Sequence, residues 1–143
     1  MQRRLLVTGV AGYVGSHLVA ALCERGDTPV VIDNRSIGHR QAVPAGVKLI
    51  EADLADPAAL DAILADGHWD AVFHFAALSQ VGESMREPLR YLMENGCNGM
   101  RLIDACVRHG VGRFVLSSTA ALFNVAGDSP IAEDAPIDPP SAC

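Results

Sequence analysis

No two of the four cysteines, Cys23, Cys97, Cys106 and Cys143, stand at C-x-x-C or any other paired metal-ligand spacing, which removes zinc and iron–sulfur sites from consideration. They read as free thiols in a reducing cytoplasm, with Cys23 and Cys106 as small core residues on helices. Long apolar runs are missing too, so nothing in the sequence spans a bilayer. The N-terminus does not look like a signal peptide, because the apolar stretch after Met1-Gln-Arg-Arg collapses at Thr8-Gly9. A positive balance is also lacking. The net charge is −6, which disfavours nucleic acid and anionic membrane as partners, since both need a basic surface. Repeats and low-complexity tracts are absent. What remains is a 143-residue chain, 50% hydrophobic and 20% charged, the balance of a soluble globular domain or a piece of a larger protein.

The order of elements is legible from apolar runs and their stops. Arg4 to Thr8 is a short apolar run halted by glycine, as in a buried parallel strand. From Gly15 to Arg25 a helix places Val14, Leu18, Ala21 and Leu22 at helical spacing and stops at Gly26. Strands follow at Thr28 to Ile32, which leads into Asp33, and at Val47 to Glu51. Asp56-Pro57 opens a helix, a capping aspartate before proline at the first helical position. Asp70 to Phe75 is a fourth strand, one helix or a pair runs from about Ser84 to His109, and Arg113 to Ser117 is a fifth strand. The prolines at Ser129-Pro130, Ala135-Pro136 and Pro139-Pro140 mark loop. Alternating strands and helices predict an α/β fold, a Rossmann-type doubly wound parallel sheet with ligands at the carboxyl ends of its strands.

The chemistry falls at those ends. Gly9, Gly12 and Gly15 lie between a strand and a helix. Without side chains they permit a tight turn and let the backbone approach a pyrophosphate at a helix N-terminus. Asp33, roughly twenty residues beyond the loop, can bond the adenosine ribose hydroxyls and repel a 2′-phosphate, which favours NAD over NADP. The alternative is a surface turn with Asn34, and Arg35 could pair with a 2′-phosphate instead. Asp53 is free for the adenine amino group because Asp56 already caps the next helix. Ala76 and Ala77 leave room for a nicotinamide ribose, and Ser117, Ser118 and Thr119 put hydroxyls where substrate meets cofactor, unless they only form a turn. The histidines His17, His68, His74 and His109 show no carboxylate partner and read as core or surface residues.

The spacing G-x-x-G-x-x-G resembles the extended short-chain dehydrogenase/reductase superfamily. Phe73 to Ser84, continued by Pro88-Leu89-Arg90-Tyr91, and Phe114 to Ala121 resemble the UDP-glucose 4-epimerase family over essentially the whole chain. The resemblance implies an NAD site in which Tyr13 and Val14 meet the pyrophosphate. Asp33 and Asn34 would hold the ribose, Asp53 and Leu54 the adenine, and Phe75, Ala76, Ala77, Ser79, Asn95 and Ser117 the nicotinamide side. Thr119 falls on the catalytic hydroxyl residue that orients the sugar 4-hydroxyl. The reaction so implied moves hydride from C4 of a UDP-hexose to NAD and back through a 4-keto sugar, with a tyrosine as base and a lysine lowering its pKa. A homodimer is implied for the full-length enzyme.

Departures from the pattern are equally plain. Ser79 stands where lysine is common, Phe123-Asn124 replaces Tyr-Gly, and Asn95 to Gly99 carries one extra residue, which leaves open which of Asn95 to Asn98 meets the cofactor. Cys143 stands at the tyrosine's place. The expectation is a truncated NAD-binding Rossmann domain over residues 1–143, lacking the lysine and the sugar-binding domain and inactive by itself. Apolar surface should lie open where the later helix would pack. Two other readings stay open. A nucleotide-sugar dehydratase is disfavoured by Thr119-Ala120-Ala121, which lacks an acidic neighbour. A non-catalytic dinucleotide-binding module lacks any evident partner-binding stripe.

Overall fold

The computed structural model describes residues 2–36, 39–123 and 130–143. Asn124 and Ser129, both singled out above, lie outside these residues. Five short strands, β1 (Arg4–Thr8), β2 (Thr28–Asp33), β3 (Lys48–Glu51), β4 (Ala71–His74) and β5 (Phe114–Leu116), form one sheet in the order β3-β2-β1-β4-β5. Every pairing is parallel, with Leu6 beside Val30 on one side and Val72 on the other. Five α-helices connect them: α1 (Tyr13–Glu24), α2 (Pro57–Ala65), α3 (Val81–Arg86), α4 (Pro88–Tyr91) and α5 (Asn98–Arg108). The chain leaves β1 toward β2 and β3 on one side and later returns to place β4 on the other. The strand order therefore reverses at the β1–β4 junction, where open α/β sheets bind ligands.

Alternation along the strands divides the core between two faces. Leu6, Val30, Ile32 and Val72 pack under α2 and α5 with Leu60, Leu64, Trp69, Leu102 and Cys106. Leu5, Val7, Val31 and Ala71 pack under α1 with Val19 and Leu22. Helices on both faces make this the doubly wound architecture expected from the sequence. The α2 start is also as read: Asp56 Oδ1 accepts from the amides of Ala58 and Ala59 at 3.0 and 3.1 Å, with Pro57 at the first helical position.

Four expectations need correction. The inner face of α1 is Gly15, Val19 and Leu22, while Val14 is 57% exposed and Ala21 is exposed as well. The helix begins two residues earlier than read, and its first turn faces a cleft rather than the sheet. Cys106 is buried, but Cys23 sits on the outer side of α1 and is exposed. Two histidines do have carboxylate partners: His109 Nε2 lies 2.9 Å from Asp61 across the α2–α5 contact, and exposed His68 lies 3.9 Å from Asp70. Finally, the region read as helix from Ser84 is broken at Glu87 before Pro88, and a π-helical segment, Leu92–Cys97, joins α4 to α5. The extra residue noted between Asn95 and Gly99 coincides with this widened turn.

Candidate functional site

The turn after β1 is built by packing. Gly9 has φ +73°, and its amide donates to Ile32 O at 3.0 Å. A Cβ on Gly9 would stand 2.4 Å from Ala76 N, so the β1 turn rests directly on the backbone leaving β4. A Cβ on Gly15 would stand 2.7 Å from Gly9 O and 2.9 Å from Val10 Cα, so α1 packs onto its own turn. Gly12 differs. It is exposed, its φ is −86°, and the nearest atom to an added Cβ is Gly9 O at 3.4 Å. Nothing in the protein requires Gly12 to lack a side chain, and it stands as the N-cap of α1 with no side chain capping that helix end. The exposed backbone there, with the helix dipole behind it, fits a phosphate-bearing ligand approaching closely.

Asp33 ends β2 at 9% exposure. Its Oδ2 accepts from Ala11 N at 2.8 Å and its Oδ1 from Arg35 N at 2.7 Å, so the carboxylate also ties the glycine turn to the strand end. Arg35 adopts the left-handed conformation at φ 54°, and its guanidinium donates to Glu51 Oε1 at 2.7 Å. Asn34 Nδ2 donates to Asp53 Oδ2 at 3.0 Å, and Asp53 Oδ1 accepts from Ala55 N. Each Asp53 oxygen therefore already holds one donor, and retains a lone pair for another.

On the other side of the switch point, Thr8 joins β1 to the β4 end. Its Oγ1 lies 2.7 Å from His74 Nδ1 and accepts from Ala76 N at 3.4 Å, while its carbonyl accepts from Phe75 N. Burial pushes the His74 pKa below the usual histidine value. The chain then runs through Ala77 to Leu78, whose amide and carbonyl are both held by the Asn95 side chain, at 2.8 and 2.9 Å. Ser117 N donates to His74 O at 3.0 Å, and Thr119 Oγ1 accepts from Ala121 N in a short 3-10 turn.

These pieces line one cleft of about 900 Å³, a size suited to a cofactor. The structure brings into it Gly9, Gly12, Tyr13, Val14 and Gly15, then Asp33, Asn34, Asp53 and Leu54, then Phe75, Ala76, Ala77, Ser79, Asn95, Ser117 and Thr119. The residues named for the dinucleotide, together with Thr119, thus line one cleft, whereas Arg35 is not among its lining residues. Cys143 lines it as well, beside Ala142, with its Sγ 3.4 Å from Ser141 Oγ. Asn98, the alternative to Asn95 in the sequence, lines the cleft too, as do Tyr91 and Glu94, to which the sequence assigns no role. Tyr91 belonged to the quoted Pro-Leu-x-Tyr element, but its neighbours across the α3–α4 break were invisible. Among the described residues, no cluster of three or more His, Cys, Asp or Glu side chains could hold a metal ion. Nor is any helix among them long and apolar enough to cross a membrane.

A parallel sheet with a glycine turn into α1 and a cleft across the strand-order reversal defines a dinucleotide-binding protein of the Rossmann type. More particularly, the chain belongs to the NAD dependent epimerase/dehydratase family, whose profile matches residues 5–143. It is 46% identical to the UDP-glucose 4-epimerase of Azospirillum brasilense, over 95% of this chain and 39% of that protein. It is also 46% identical to the enzyme of the same name from Corynebacterium glutamicum, over 97% of this chain and 42% of the other. The crystal structure of UDP-glucose 4-epimerase from Brucella ovis in complex with NAD superposes with a TM-score of 0.92 at 36% identity, covering 98% of this chain and 43% of that one. The chain therefore spans about two fifths of the length of these relatives.

Proposed function

We propose that the cleft is the NAD site of a UDP-hexose 4-epimerase, and that residues 1–143 form its dinucleotide-binding part. The observation that carries this is Gly12. Its side chain is missing where the protein leaves room for one, at a helix N-terminus that opens onto the cleft. The groups around it fit the cofactor in order: the α1 N-terminus for the pyrophosphate, Asp33 and Asn34 for the adenosine ribose, Asp53 and Leu54 for the adenine. Phe75, Ala76, Ala77, Ser79, Asn95 and Ser117 supply the nicotinamide side. Arg35, committed to Glu51, and Asp33 at the strand end together favour NAD over NADP.

When bound, NAD supplies reversible hydride acceptance at C4 of the sugar, which gives the 4-keto hexose. Thr119 orients the 4-hydroxyl. The base is another matter, because Cys143 stands where a tyrosine is expected. The two tyrosines of the chain line other parts of the cleft: Tyr13 is 80% exposed at the start of α1, and Tyr91 is buried with its hydroxyl held by Glu83 and Gln80. The single lysine, Lys48, is on β3 and 3.6 Å from Asp66. A thiol without a lysine neighbour is a poor substitute. Residues 1–143 alone are accordingly read as binding cofactor without epimerising. Epimerase rather than dehydratase is favoured because the relatives described above are epimerases.

A second copy of the chain is the proposed protein partner. Contrary to the sequence reading, an apolar stripe does stand out. Leu89, Met93, Met100, Ile103 and Val107 are all exposed along α4 to α5, and the last three repeat at helical spacing. The four cysteines are unpaired, which supports a reducing compartment such as the cytoplasm.

Titration of the 143-residue protein with NADH and NADPH, followed by nicotinamide fluorescence, tests the site. NADH should bind at least tenfold more tightly, and UDP-galactose should remain unconverted in the presence of NAD. Equal affinity for both would overturn the NAD preference. Binding of neither would overturn the dinucleotide reading, and formation of UDP-glucose would overturn the assignment of no activity to this portion.

A further inference from the structure

The element that most distinguishes this sequence, Val-Gly-Glu-Ser followed by Pro-Leu-x-Tyr, spans α3 and α4. The structure shows what it assembles. Tyr91 is the largest fully buried side chain among the described residues, yet its ring lines the cleft. Its hydroxyl donates to Glu83 Oε2 at 2.6 Å and accepts from Gln80 N at 3.2 Å. The other carboxylate oxygen, Glu83 Oε1, accepts from Arg90 at 2.9 Å, and Arg90 also lies 3.5 Å from Glu87. Two residues before Gln80, both backbone groups of Leu78 are held by the Asn95 side chain.

The consequence is geometric. The chain from Phe75 to Gln80 leaves β4 and lines the nicotinamide side of the cleft without forming regular structure before α3. A segment with no ladder of its own must satisfy its backbone groups elsewhere. Here side chains from α4 and the π-helical segment supply them at Leu78 and Gln80. The free ends of this span are thus fixed from both directions: at Phe75 and Ala76 by Thr8, at Leu78 and Gln80 by Asn95 and Tyr91. Rotation of the Tyr91 hydroxyl is in turn prevented by a charged acceptor, and a charged acceptor makes the stronger bond.

We infer that Tyr91 and Glu83 are positioning residues that hold the Ala76–Gln80 backbone at the nicotinamide end of the cleft, so that they govern seating of the nicotinamide half of the dinucleotide and not its adenosine half. This rests on the NAD reading above. The electrostatics of the pair agree with it. The Tyr91 hydroxyl and Arg90 hold the Glu83 carboxyl below the usual range, while burial and the Glu83 carboxylate push the Tyr91 phenol up. The pair thus stays a neutral phenol donating to a carboxylate throughout the neutral range.

The test separates the two halves of the ligand. ADP-ribose carries the adenosine, the pyrophosphate and the second ribose but no nicotinamide ring, so of this span it meets only the Ala76–Ala77 end, which Thr8 holds, and not the Leu78–Gln80 end held by Asn95 and Tyr91. In the 143-residue protein, Y91F and E83A should weaken NADH about tenfold and lower its bound fluorescence, while ADP-ribose affinity stays within twofold of the parent. E83Q keeps an acceptor for the Tyr91 hydroxyl and should restore most of the NADH affinity. Should Y91F not fold, E83A leaves the buried ring in place and carries the same comparison. NADH affinity within twofold of the parent in E83A would overturn the inference. An equal loss of NADH and ADP-ribose would also overturn it, by showing that the pair only holds the fold. Failure of the parent to bind ADP-ribose would instead remove the dinucleotide reading, and this inference with it.

Discussion

Three glycines in one turn lack side chains for three different reasons, and the reasons have different experimental signatures. At Gly9 the chain is in the left-handed region and the backbone of Ala76 occupies the space a Cβ needs. Alanine there carries both a conformational and a packing penalty, together about 2–4 kcal/mol. At Gly12 the dihedrals are ordinary and the space is open, so alanine should be tolerated apart from a few tenths of a kcal/mol to about 1 kcal/mol for a poorer N-cap. Its methyl group would project where the phosphates must approach. Gly12→Ala should therefore melt within a few degrees of the parent yet bind NADH at least tenfold more weakly, whereas Gly9→Ala should lose stability first. Thermal melts paired with NADH titrations decide the point. Parental affinity in Gly12→Ala would mean that the cleft does not seat a pyrophosphate against α1.

At the scale of elements, what was legible is what local chemistry decides. The five strands are short apolar runs, and the three central ones, β1, β2 and β4, are buried as such runs are in a parallel sheet. The start of α2 was equally readable, because Asp56 and Pro57 act within one turn. Asp56→Ala should cost about 1 kcal/mol, seen as a drop in urea midpoint without loss of NADH binding. An unchanged midpoint would show that Pro57 alone sets the helix start. That Asp33 and Ala76 line the cleft was legible for the same reason: position along one strand fixes where they stand. The α3–α5 region was not. Its path depends on the break at Glu87 and on the π-helical turn at Leu92–Cys97, neither of which follows from a 3.6-residue period. The pairing of Glu83 with Tyr91 spans that break and so could not be seen. The α1 face was misread because Val14 has an apolar side chain for a cleft, not for the sheet.

For the molecule as a whole, the distribution of apolar surface is the feature that demands an explanation. Both sheet faces have their helices, yet Met100, Ile103 and Val107 on α5 point away from the core formed by Leu102, Ala105 and Cys106, and Val107 is 72% exposed. Such a stripe, continued by Met93 and Leu89, is costly to leave in water and is the kind of surface that a partner helix covers. A second apolar exposure lies at the sheet edge, where Val115 and Leu116 of β5 are exposed and, among the described residues, one side of the strand has no neighbouring strand. The two surfaces imply different assemblies. Pairing through the stripe gives a closed dimer, whereas pairing through β5 adds strands edge to edge. The stripe is the longer and the more continuous, so sedimentation velocity at micromolar concentration should show a dimer. The double variant I103D/V107D should convert it to monomer with NADH affinity unchanged, since neither residue lines the cleft. A monomeric parent protein would sink the dimer. A dimer that survives I103D/V107D but dissociates in Val115→Asp would move the interface to the open edge of the sheet, and the α5 stripe would then need another occupant.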